Sequence, residues 1–150
     1  MSSGGELDAA RNPASVSVTD IRVRADRVVL SVQLSPEAPR ETTPELARAL
    51  DDAVPTLSLH ACVNDVGPTF GAVLGHTSLA HVLEHLIIDA QVRASAPAAP
   101  TFVGTTVWTS RDAGTARVEV SYTDDLVALA AVKQALATLN GVLSCEGQSV

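Results

Sequence analysis

Aromatic side chains are nearly missing from this sequence: Phe70, Phe102, Trp108 and Tyr122 are the only four among 150 residues. Hydrophobic residues still make up 46%, so the core must be built mostly from Ala, Val and Leu. Lysine is scarcer, with Lys133 alone. The other nine basic residues are Arg, against 17 acidic ones, and the formal net charge is -7. A nucleic-acid or anionic-membrane binder needs the opposite sign, so neither partner is expected; an acidic surface suits a cationic one. Two cysteines, Cys62 and Cys145, are too few for a disulfide framework and favour a reducing compartment. No stretch reads as the roughly 18 apolar residues of a spanning helix. Met1 to Pro13 lacks the basic start and apolar run of a leader, so a cytoplasmic protein is expected. No glycine-rich phosphate loop is present. At this length one domain is expected, with no room for an ATP-driven ligase or a multidomain synthetase. The Arg bias and the Ala and Val richness suit a GC-rich bacterial genome.

What is present reads as one domain over residues 15–141, between a disordered tail, 1–14, and a flexible one, 142–150. Val28, Leu30, Val32 and Leu34 alternate with Val29, Ser31 and Gln33 at strand period. Val16–Arg24 alternates too, with a phase slip at Thr19–Asp20 that predicts a bulge. The two strands form a hairpin through Arg24–Arg27. Thr43, Pro44 and Glu45 supply an N-cap, a first-position proline and a first-turn acid for a helix to about Ala53. A short strand is predicted over Thr56–Cys62, then a Gly-rich loop to Gly75. Thr77 or Ser78 can cap a second helix to about Arg93. Phe102–Thr109 and Arg117–Tyr122 predict a second hairpin, turning at Asp112–Gly114. Thr123 or Asp124 caps a third helix with a Leu129, Val132, Leu136, Leu139 stripe, stopped at Asn140-Gly141. The order predicts a two-layer α+β fold: an antiparallel sheet of two hairpins with three helices packed on it.

The sharpest signal is His81-Val82-Leu83-Glu84-His85. Positions i and i+4 lie on one helix face, about 40° apart, so both imidazoles can reach one metal ion. Glu84 projects beside the pair, placed to take a proton from metal-bound water; this is the inverted zincin order. Zinc is the expected ion, and it needs a third protein ligand and an open position. The candidates are His60, Cys62, His76 and Glu119, with His60 and Cys62 favoured because i,i+2 spacing puts both on one strand face. The apolar stripe of the helix is Leu79, Leu83, Leu86, Ile87 and Ala90, and the His pair points roughly opposite to it, beside Ile88 and Val92.

These residues resemble a known family. Pro55-Thr-Leu-Ser-Leu-His60-Ala-Cys62, the His81–His85 helix with Asp89 and Gln91, Gly104-Thr105-Thr106 and Tyr122-Thr123-Asp124-Asp125 together resemble the N-terminal domain of cyanophycin synthetases, over about Leu46 to Leu139. Ala80 and Ser78 stand where that family has Gly and an aromatic residue. Val107 stands where it has Arg, and Glu119 where it has an apolar residue. The helix motif is also similar to that of pitrilysin-type metallohydrolases. The resemblance implies a domain that binds an arginine-decorated polyaspartate chain and, in some members, a metal-dependent site that cuts it.

Three functions compete on the sequence. The first is a metal-dependent amide hydrolase acting on a peptide-like, Arg-bearing chain. It would use His81 and His85 as ligands, His60 or Cys62 as the third, and Glu84 as the base. The second is a catalytically silent module of the same family that holds a polymer or a partner protein. The third is a structural domain whose His pair only packs. Self-association into a homo-oligomer is left open by the sequence.

Overall fold

A segment that alternates apolar and polar residues can bury one face only, and the two hairpins do so together. The computed structural model describes residues 15–62, 64–95 and 101–148. Strands β1 (Val16–Val23), β2 (Arg27–Leu34), β3 (Gly104–Ser110) and β4 (Thr115–Ser121) form one open antiparallel sheet in the order β1-β2-β4-β3. Register aligns Val28 with Val120, Leu30 with Val118 and Val32 with Ala116, so the apolar faces of both central strands coincide and are buried. The predicted phase slip is a register shift between Val18 and Asp20. The second hairpin turns through Gly114, whose φ of +73° is the left-handed conformation that glycine adopts without penalty.

Helices α1 (Pro44–Ala53), α2 (Leu79–Ala94) and α3 (Asp125–Gln148) complete the α+β fold. Helix α2 lies against β3 and β4, α3 packs beside α2 and reaches β1, and α1 packs on α3. The predicted caps are used: Thr43 Oγ1 accepts from Leu46 N–H at 3.2 Å, Ser78 Oγ from His81 N–H at 3.1 Å, and Asp124 Oδ1 from Leu126 N–H at 3.0 Å.

Four expectations need correction. Thr56–Cys62 is not a strand. Leu57–Leu59 is a 3-10 turn, with Leu57 buried and Leu59 75% exposed, and only Ala61 makes an isolated bridge, to Thr69. Helix α3 does not stop at Asn140-Gly141. The Asn140 amide instead pairs with the Val16 backbone, accepting from N–H at 2.8 Å and donating to C=O at 2.9 Å, and Leu143 is buried a turn further on. Packing thus carries the helix through a local stop signal, and residues 142–148 are helical rather than a loose tail. The buried face of α3 is Ala128, Ala131, Val132, Ala135, Leu139 and Leu143, while Leu129 and Leu136 are half-buried. Finally, by length and composition Asp125–Glu146 is apolar enough to cross a membrane, where no such run was expected; here that helix supplies part of the core. The tail expected over residues 1–14 lies outside the described residues.

Candidate metal centre

Helix α2 carries the site because it is enclosed. From Leu79 to Gln91 every residue except His81 is buried. The side opposite the Leu79–Ala90 stripe, to which the sequence assigns the His pair, is enclosed as well. It is covered by the 57–62 segment and by Phe70, which the Gly-rich loop delivers on a second 3-10 turn, Phe70–Ala72. Backbone bonds pin these two segments together: Phe70 N–H to His60 C=O at 2.8 Å and Cys62 N–H to Pro68 C=O at 3.1 Å. Phe70 stacks on His85 with ring centroids 4.1 Å apart and meets His81 edge-on at 4.9 Å.

The sequence spacing does bring the two imidazoles together, with centroids 4.9 Å apart. Cys62 Sγ lies 3.6 Å from His81 Nε2, and one donor atom each from Cys62, His81 and His85 falls within 4.8 Å of the others. Thr77, just outside the helix, places its hydroxyl 2.8 Å from His81 Nδ1, so Nε2 is the nitrogen that faces the group. Thr42 sets Thr77 in turn: its buried hydroxyl accepts from Thr77 N–H at 2.9 Å and donates to Leu74 C=O at 2.7 Å. Burial lowers the pKa of both imidazoles. For His85 burial and then the neighbouring His81 and His60 push it down to about 3, so it is neutral, as a metal ligand must be.

Glu84 is 4% exposed and does not join the donor group. Its Oε1 accepts from the Thr106 hydroxyl at 2.7 Å and its Oε2 lies 3.6 Å from His85 Nε2. Burial pushes its pKa up to about 7, against the Thr106 bond, which favours the charged form. Strand β3 comes this close because Gly104 has no side chain: a Cβ there would stand 2.8 Å from Glu84 Cγ. Cys62, His81, Glu84 and His85 share a cavity of about 550 Å³, walled by Ile88 and the 101–106 segment.

The other candidates are placed elsewhere. His60 points at α2, but at Asp89 and the far side of His85, and stands outside the donor group. His76 is exposed. Glu119 lies on the outer face of the sheet, ion-paired with Arg27 at 2.7 Å and Arg117 at 3.2 Å. The sequence reading missed the parts played by Thr106, Gly104 and Phe70. Gly104-Thr105-Thr106 carries a signal only through the family pattern, and Phe70 carries none beyond being one of four aromatic residues.

A family model for the cyanophycin synthase-like N-terminal domain matches residues 27–144, from β2 into the last turns of α3. The chain belongs to that family. No curated protein matches it. The matched span contains the Cys62, His81, Glu84 and His85 cluster and both cavity walls, so the site lies within the cyanophycin synthase-like domain itself.

Proposed function

We propose that this cyanophycin synthase-like domain is a metal-dependent amide hydrolase, with Cys62, His81 and His85 as ligands of a zinc ion and Glu84 as the base. The observation that carries the reading is a single cavity shared by three converging soft and borderline donors and a buried carboxylate that is not one of them. The donor set fits the ion: one thiol and two imidazoles would hold zinc with three protein ligands, the number found in catalytic rather than structural zinc sites. When bound, zinc supplies Lewis-acid activation of water near neutral pH.

The protein's own groups supply the rest. Thr106 holds Glu84 Oε1, which turns Oε2 toward the His pair. A carboxyl with a pKa of about 7 can take a proton from water and return it to a leaving amine in the same cycle. Ile88 and Phe102 give the cavity apolar lining. The excess of acidic residues favours a chain with cationic side chains, in line with the Arg-bearing polymer that the family resemblance implies. Cys62 is a free thiol, which suits a cytoplasmic location.

The test is to incubate zinc-loaded protein with a β-aspartyl-arginine polymer and follow chain length by mass spectrometry. The expected result is shortening by wild type and none by Glu84→Gln, with metal retained in both. Binding without cleavage by either protein would leave a silent binding module.

A further inference from the structure

We propose that His60, held by the buried Asp89 carboxylate, is a positioning residue that fixes His85 in the tautomer a metal ion requires. The proposal rests on the metal reading above, and it gives His60 a role other than the ligand role the sequence allowed.

The argument follows hydrogens along three groups. Asp89 is 2% exposed, and its Oδ1 lies 2.6 Å from Thr56 Oγ1 and 3.0 Å from His60 Nε2. Its Oδ2 accepts from Arg93 Nε at 2.7 Å. An ionised carboxylate only accepts, so the neutral form of the His60 ring carries its hydrogen on Nε2 and leaves Nδ1 as a bare lone pair. That Nδ1 lies 3.3 Å from His85 Nδ1. Two bare lone pairs would repel at this distance, so His85 carries its hydrogen on Nδ1 and donates it to His60. His85 Nε2 is then the free nitrogen, on the side that Glu84 Oε2 approaches. The two rings meet at 45° rather than stacked, with centroids 5.5 Å apart.

Thr77 holds His81 Nδ1 in the corresponding place, but a hydroxyl both donates and accepts and so tolerates either tautomer. Only the Asp89–His60 pair dictates one. Partners of this kind orient a ligand imidazole and raise its basicity, and their loss weakens metal affinity about 10–100-fold.

The experiment has two arms. In metal-free wild type, long-range ¹⁵N–¹H spectra should show His60 as the Nε2–H tautomer and His85 as the Nδ1–H tautomer; the reverse on His85 overturns the proposal. Zinc affinity, measured by competition with a chromophoric chelator, should fall about 10–100-fold in His60→Ala. It should recover in large part in His60→Gln, whose amide can still accept from His85 and donate to Asp89. Equal zinc affinity in wild type and His60→Ala overturns this proposal alone. No zinc binding by wild type overturns the metal reading and this proposal with it. Should His60→Ala fail to fold, the tautomer spectra of wild type and the His60→Gln affinity decide.

Discussion

The Thr106 hydroxyl donates to Glu84 Oε1 at 2.7 Å, joining an edge strand to the central helix through a buried carboxylate. The two residues are 22 positions apart, and the bond fixes which carboxylate oxygen faces the imidazoles.

Replacing Thr106 by Val keeps the shape and removes the donor. Hydrogen bonds to charged groups contribute about 1.5–3 kcal/mol, neutral ones about 1 kcal/mol. Glu84 is ionised above its pKa of about 7 and protonated below it. Thr106→Val should therefore cost roughly 1.5–3 kcal/mol at pH 8 and clearly less at pH 5, as read by urea unfolding. Equal losses at both pH values would mean that the hydroxyl does not serve the carboxylate.

Glu84→Gln should change how stability depends on pH in the chelator-treated, metal-free protein. The folded-state pKa, about 7, lies above the ordinary 4.5. The folded protein therefore holds a proton that the unfolded chain has lost between these values. The contribution of this group is fully present below pH 4.5 and is lost as pH rises to 7. Gln does not titrate, so the variant should gain on wild type between pH 4.5 and 8, by roughly 3 kcal/mol at about 1.4 kcal/mol per pKa unit. His85 has the opposite sign: its pKa is lowered from 6.5 to about 3, so its burial costs stability as pH falls through that range. That cost is common to both proteins and drops out of the comparison. Parallel pH profiles for the two proteins would show that the Glu84 carboxyl is not raised.

The sheet, its bulge and the helix starts were legible because they are local: strand alternation, turn residues and caps each act within a few positions. The His81, Glu84, His85 face was legible for the same reason. The stop at Asn140-Gly141 was misread because Asn140 is used across the fold, on the Val16 backbone 124 residues away. The 57–62 segment was misread because Leu57 and Leu59 alternate in sequence, whereas a 3-10 turn puts them on different sides. Choosing between His60 and Cys62 was beyond periodicity. It depends on where Asp89, a turn further along α2, draws the His60 ring.

Gly104→Ala should damage the Glu84 setting while sparing the donor group. An added Cβ would stand 2.8 Å from Glu84 Cγ, 2.9 Å from Oε2 and 2.9 Å from the Glu119 carbonyl. The carbonyl belongs to strand β4 and cannot give way cheaply, so the carboxylate must move off Thr106. Overpacking of this size costs about 1–3 kcal/mol. The variant should melt lower and lose hydrolysis yet bind zinc at wild-type stoichiometry. Joint loss of zinc would mean that Gly104 supports the ligands and not only Glu84.

Metal removal should separate the donors from their neighbours. An ion that binds only the folded state stabilises it by about 2.7 kcal/mol at 100 times its Kd and about 4.1 kcal/mol at 1,000 times, so zinc should raise the melting temperature and a chelator should reverse the rise. Cys62 is half-buried at the edge of the core with its sulfur 3.6 Å from His81 Nε2, so Cys62→Ala should cost the metal-free protein little stability and abolish the zinc shift. His81→Ala should abolish it too. Glu84→Gln should keep the whole shift, since its carboxylate stands outside the donor group. Alkylation of the Cys62 thiol gives an independent reading, because zinc should protect it while the exposed Cys145 reacts at an unchanged rate. A zinc shift that survives Cys62→Ala would assign the third ligand elsewhere, with His60 the nearest imidazole to His85 after His81.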